Sequence, residues 1–164
     1  MNYTEGKDDA GSSYEKTFWY PSHFKGTWAE SKAICDSYGM GLATLDSKEE
    51  GQYFFVLFEH YASLFDVWTH IGGVAAIPKT LTEWYWTENG AKLNFTLKFL
   101  PGVPDNSGGN EVCLTLTIAA GSYFFNDLKC YENYIMKFVC QTVNYIPVPE
   151  VTTLATSTPS SLLI

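Results

Sequence analysis

A chain of 164 residues that is 46% apolar and 16% aromatic can bury a core of its own, which excludes a linker or a disordered polypeptide and favours one domain. Its formal charge is −8 and every one of its ten basic residues is lysine. Without arginine or a basic cluster, nucleic-acid binding has neither its electrostatic footing nor its usual base-reading side chain, whereas an acidic surface suits a cation.

Residues 1–13 are polar and are expected to form a flexible N-terminal segment. From Tyr14, YEKTFWYP alternates aromatic and polar residues as a strand does. Thr27 and Glu30 then stand at capping-box spacing, opening a helix that closes at Gly39 and carries Trp28, Ala29, Ala33 and Cys35 on a narrow apolar face. The run GLATL (residues 41–45) reads as a short buried piece. A second capping box, Ser47 with Glu50, starts another helix, on which Phe54, Leu57, Phe58 and Tyr61 repeat at i, i+3, i+4 and i+7. Glu49 and Glu50 read as a solvated helix start rather than an acid/base pair.

After Asp66 the pattern shortens. VWTHIGG, LTEWYWTENG, NEVCLTLTIA, GSYFFNDL and YIMKFVCQTV are predicted strands separated by glycine and Asn-Gly turns, so the fold class is α+β. Trp84 and Trp86 are expected in the core or supporting a loop. The segment PGVPDNSGGNEVC, residues 101–113, can be neither helix nor central strand and is a surface loop rich in oxygen-bearing side chains. From residue 144 to 164 the chain becomes a Thr/Ser/Pro-rich tail of a composition compatible with O-glycosylation, outside a domain spanning residues 14–143.

Four cysteines, Cys35, Cys113, Cys130 and Cys140, lack the C-x-x-C spacing of zinc or redox motifs. An even number in such a chain points to two disulfides, with three pairings open, and to a secreted or extracellular setting. The sequons at Asn2 and Asn94 agree with that compartment. No apolar h-region follows Met1 and no run of about 18 apolar residues predicts a membrane span, so either a signal peptide has been removed or the compartment is a different one. His23, His60 and His70 lack metal-ligand spacing and are expected to be structural or solvent-facing. The nucleophile-elbow, zinc-protease and P-loop motifs are missing, so the chain is not expected to be an enzyme.

Taken in order, these pieces resemble the C-type lectin-like domain family over about residues 14–143. The resemblance is carried by WAESKAIC on the first helix, GLATL after it, SKEE opening the second, WYWTENG, PGVPDNSGGNEVC, FND and the FVC of the last strand. HIGG departs at two positions from the family's Trp-Ile-Gly-Leu. The resemblance implies a C-type lectin-like fold of two helices with antiparallel sheets, a long calcium-binding loop, and disulfides Cys35–Cys140 and Cys113–Cys130. The first would close a loop of about 100 residues, stabilising by ~4.7 kcal/mol in chain-entropy terms, and the second is expected to brace a polar loop.

In sugar-binding members one calcium ion is held by a Glu-Pro-Asn or Gln-Pro-Asp triplet, a following Glu and the Asn-Asp of Trp-Asn-Asp. These positions fall on Val103, Pro104, Asp105, Glu111, Asn126 and Asp127. Asp105, Glu111, Asn126 and Asp127 are thus the implied metal and carbohydrate ligands; Val103 has no oxygen to offer, which leaves a weakened site for Ca2+. The resemblance implies a cis peptide before Pro104, and the positions of a second, auxiliary calcium site fall on Asn106 and Val112, where it is expected to be weak or missing. Tyr123 and Phe124 could face a sugar ring, but packing is the stronger reading. The function implied is a secreted, calcium-dependent lectin binding glycans or glycoproteins, weak, leaning to galactose, with a role in innate recognition. The alternative is a lectin-like domain that binds a protein or surface partner without sugar, with calcium only structural or absent.

Overall fold

In the computed structural model, residues 2–7, 13–61, 68–76, 83–93, 98–132 and 134–147 are described. In chain order the elements are β1 (Asn2–Lys7), β2 (Ser13–Trp19), α1 (Trp28–Ser37), β3 (Gly41–Leu42), α2 (Lys48–His60), β4 (Trp68–Ala75) and β5 (Trp84–Trp86), then β6 (Glu111–Ala119), β7 (Ser122–Lys129), β8 (Lys137–Phe138) and β9 (Cys140–Tyr145). Two sheets result: β1-β2-β9-β3, and a second in the order β5-β4-β6-β7 with β8 added parallel to β4. The remaining pairs of named strands are antiparallel.

Two expectations about the ends need changing. Asn2–Lys7 is paired with β2 rather than loose, although nothing in the composition of residues 1–13 signals a strand. At the other end β9 runs through Asn144 to Tyr145, because β2 offers partners as far as Tyr14. Residues 148–164 of the tail and the Asn94 sequon lie outside the described residues.

Helix α1 begins as its caps dictate, with Thr27 accepting from the Glu30 N–H and Glu30 reaching back to the Thr27 N–H. Its buried face is Trp28, Ser31 and Cys35, whereas Ala33 is exposed. Ser31 is tolerated there because its hydroxyl donates to the Thr27 carbonyl at 2.8 Å. In α2, Phe54 and Phe58 are buried as the periodicity predicts, but Tyr61 is exposed and Glu50, Gly51 and Phe55 complete the inward face.

Glu50 is a correction. Ser47 does cap the Glu50 N–H, but the Glu50 carboxylate is fully buried instead of solvated. It meets the equally buried ammonium of Lys16 on β2, which lies 2.9 Å and 3.0 Å from its two oxygens. Lys16 also reaches Asp46 at 2.7 Å and the hydroxyl and carbonyl of Thr44 at 2.8 and 3.1 Å. Burial pushes the Glu50 carboxyl upward and Lys16 pulls it back down.

The core has two parts. Phe18, Leu45, Phe54, Phe58, Ile71, Trp84, Trp86, Leu114, Leu116 and Phe125 meet between α2 and the larger sheet. A second cluster, with Trp28, Leu42, Leu128 and Phe138, contains all four cysteines. The disulfides are Cys35–Cys140, joining α1 to β9, and Cys113–Cys130, joining β6 to the end of β7. The second does not brace a polar loop. The residues between its ends form the β6–β7 hairpin, closed by Ala120 and Gly121 at φ +48° and +69°, both in the left-handed region that a two-residue hairpin turn requires.

Candidate functional site

The long loop is carried to the hairpin by the strand-like residues that precede it. Leu100 donates to the Phe125 carbonyl and Phe125 donates to the Lys98 carbonyl, so the loop leaves β7 one residue before Asn126 and Asp127. Phe99 packs between Phe125 and Trp84, ring centroids 6.2 and 5.8 Å away. Trp84 therefore supports the loop as well as filling the core.

Beyond that anchor the backbone folds around the acids. The Val103–Pro104 peptide is cis, and Asn106 takes a left-handed conformation (φ +48°), which an Asn side chain tolerates. Asp127 on β7 accepts from the N–H of Asn106 at 2.7 Å and of Asp105 at 3.3 Å. Glu111, the first residue of β6, accepts from the Ser107 N–H at 3.0 Å and the Tyr134 hydroxyl at 3.2 Å. Its own N–H donates to the Asn106 side-chain oxygen at 2.9 Å. Asp105 accepts from Ser107 at 3.3 Å.

One carboxylate oxygen from each of Asp105, Glu111 and Asp127 lies within 4.8 Å of the others, with Glu111 and Asp127 buried and Asp105 exposed. At that spacing two charges repel by ~3 kcal/mol at an effective dielectric of about 20. Among the described residues no lysine pairs with any of the three. Burial pushes the Glu111 carboxyl upward and the two aspartates add to that, while Ser107 and Tyr134 oppose it. A cluster of this kind lowers its energy by taking up a cation.

Which cation suits it follows from the donors. Carboxylate and amide oxygens are hard ligands of the kind calcium takes, and calcium accepts irregular shells. Asn126, beside Asp127 on β7, has a buried side-chain oxygen with no hydrogen-bond partner. An acceptor left so costs ~1–3 kcal/mol unless something satisfies it. The residues present therefore fit a calcium ion, with Val103 contributing no side-chain oxygen. At the auxiliary positions the Asn106 amide oxygen is engaged by Glu111, and Val112 packs against the disulfide-bearing cluster.

The other aromatic and histidine candidates sit elsewhere. Tyr123 packs on the first core cluster and edge-on to Phe125, and Phe124 lies under the Lys98 ammonium at 4.4 Å. They precede Asp127 by four and three residues on β7, roughly 13 and 10 Å along an extended strand, which places them toward the hairpin tip. His70 is fully buried, its Nε2 3.1 Å from the carbonyls of Gly26 and Tyr134; His23 and His60 are exposed. Tyr134 is the residue that sequence reasoning missed. No spacing or motif in a single chain signals that its hydroxyl would meet Glu111.

The family model described as the Lectin C-type domain matches residues 25–142. Perlucin of Haliotis laevigata is 28% identical over 124 residues, covering 76% of this chain and 74% of perlucin. C-type lectin 37Db of Drosophila melanogaster is 30% identical over 123 residues, 75% of each chain. Among solved structures, the mouse scavenger receptor C-type lectin carbohydrate-recognition domain superposes with a TM-score of 0.59 at 26% identity, covering 82% of this chain and 92% of that one.

Proposed function

Because this chain belongs to the C-type lectin family, we propose that it is a secreted, calcium-dependent lectin whose long loop holds one Ca2+ ion. Asp105, Glu111, Asn126 and Asp127 would be the protein ligands. The ion, when bound, supplies a Lewis-acidic contact for two neighbouring hydroxyls of a sugar. The observation that carries this reading is the convergence of three carboxylates, two of them buried, with no lysine partner among the described residues. The unpartnered oxygen of Asn126 supports it, and the two disulfides agree with an extracellular setting.

The chain's own residues do three things in this scheme. Backbone N–H groups of the loop hold Asp127 and Glu111 in place, so little reorganisation is needed when the ion arrives. Asp105 and Glu111 can accept hydrogen bonds from sugar hydroxyls. Val103 leaves one hydroxyl without a polar partner, at a cost of ~1–3 kcal/mol, so monosaccharide binding should be weak. The acidic third residue of the Val-Pro-Asp triplet leans toward galactose-like sugars. Binding of microbial glycans, with a role in innate recognition, is part of the same proposal.

Glycan-array binding with and without a chelator tests it. Binding that disappears with the chelator is the expected result. A second reading rests on Val103: a lectin-like domain that binds a protein or surface partner without sugar, calcium being structural or absent. Chelator-independent protein binding with a blank array would favour that one. Calorimetry showing no uptake at several millimolar calcium would remove the metal from both.

A further inference from the structure

The acid at the start of β6 is held from a side that none of the expected ligand positions accounts for. Tyr134 lies between Cys130 and β8, and its hydroxyl donates to Glu111 Oε1 at 3.2 Å, while the Ser107 N–H takes Oε2 at 3.0 Å. Each carboxylate oxygen thus has one fixed donor and keeps a second lone-pair direction free.

Tyr134 is itself anchored. Its carbonyl lies 3.1 Å from His70 Nε2, and the other group at that nitrogen is the Gly26 carbonyl, also at 3.1 Å. Carbonyls only accept, so the ring proton resides on Nε2 and is shared between the two. The Tyr134 N–H donates to the Glu132 carbonyl at 2.7 Å, and the ring packs against the cluster that holds both disulfides. A buried histidine in β4 thereby fixes the backbone from which the hydroxyl reaches Glu111.

We propose that Tyr134 is a positioning residue of the cation site, a statement that rests on reading the loop as a calcium site. A glutamate has three torsions to fix before it can meet an ion, and two donors on its two oxygens fix the last of them in advance. The hydroxyl does not take the place of the metal, because the carboxylate oxygen it touches can accept twice. Groups that orient metal ligands from behind in this way typically account for ~10–100-fold in affinity.

The test titrates calcium chloride into the wild-type chain, Tyr134→Phe, Glu111→Asp and the double variant. Glu111→Asp keeps a carboxylate but withdraws it by one methylene, out of reach of the hydroxyl. The expected result is a wild type that binds one ion, a Tyr134→Phe that binds about 10-fold more weakly, and no added loss from Tyr134→Phe when Glu111 is already Asp. A Tyr134→Phe affinity within about twofold of wild type, or the same loss in both backgrounds, overturns the inference and leaves the calcium site standing. A wild type that takes up no calcium overturns the site itself, and the inference with it. If Tyr134→Phe does not fold, ring-labelled tyrosine NMR on the wild type and Glu111→Asp answers instead. The Tyr134 signals must shift with calcium in the wild type and by much less in Glu111→Asp; equal or absent shifts overturn the proposal.

Discussion

Replacing Lys16 by Met keeps the length of the side chain and removes its charge. In the native chain the ammonium lies within 3.1 Å of five oxygens: two on Glu50, one on Asp46 and two on Thr44. Glu50 is fully buried, so the substitution leaves a carboxylate in the core with no counter-charge. Breaking a buried pair from one side costs about 3–5 kcal/mol, a large share of a domain's stability. The sign of the pH dependence follows from Glu50. Its carboxyl is already pushed up by burial, and without Lys16 it rises further. A carboxyl whose folded value is raised contributes fully below the unfolded value of about 4.3 and loses that contribution as pH rises through the folded one. The deficit of Lys16→Met against wild type should therefore be smaller at pH 5 than at pH 7. Urea denaturation at both pH values measures it. Adding Glu50→Gln should recover much of the loss, since the amide oxygen can still accept the Asp46 N–H that Glu50 accepts at 2.6 Å. A loss under about 1 kcal/mol, or one that is the same at both pH values, refutes the reasoning.

Three further outcomes are expected. Val103→Glu supplies the missing oxygen and should raise calcium affinity in calorimetry by several-fold or more; no change means the loop is arranged differently. Asp105→Asn removes one of three converging charges, so the calcium-free protein should melt slightly higher, by up to about 1 kcal/mol of stability, while the thermal shift on adding calcium shrinks. His70 is held below its ordinary value by burial, against the pull of the two carbonyls. Stability should accordingly fall as pH drops below about 6.5, where the unfolded chain binds a proton that the native ring resists, and His70→Gln should flatten that limb of a urea series.

Local chemistry was legible in the sequence and distant chemistry was not. Thr27 and Glu30 announce the start of α1 because a capping box is complete within four residues. Ser47 and Glu50 have the same spacing, yet the Glu50 side chain turns to a lysine 34 residues away, a choice that only the packing of β2 against α2 decides. Asp105, Glu111 and Asp127 were identifiable from a resemblance in motif order, and the structure brings them together. Tyr134 was not, because its role depends on β8 pairing parallel to β4 and on His70 beneath it. The role expected of Cys113–Cys130 was wrong for a related reason: a single chain does not reveal that a run of strand-forming residues doubles back on itself.

The β6–β7 hairpin places Glu111 at its entrance and Asn126 and Asp127 on its return, with a disulfide locking the open end. Three of the four oxygen-bearing positions thus ride on one stapled unit, and only Asp105 comes from outside it. The segment 101–110 closes over that unit like a clasp, fastened by the Asn106 and Ser107 N–H groups to Asp127 and Glu111. Opening the staple would loosen both halves of the clasp together.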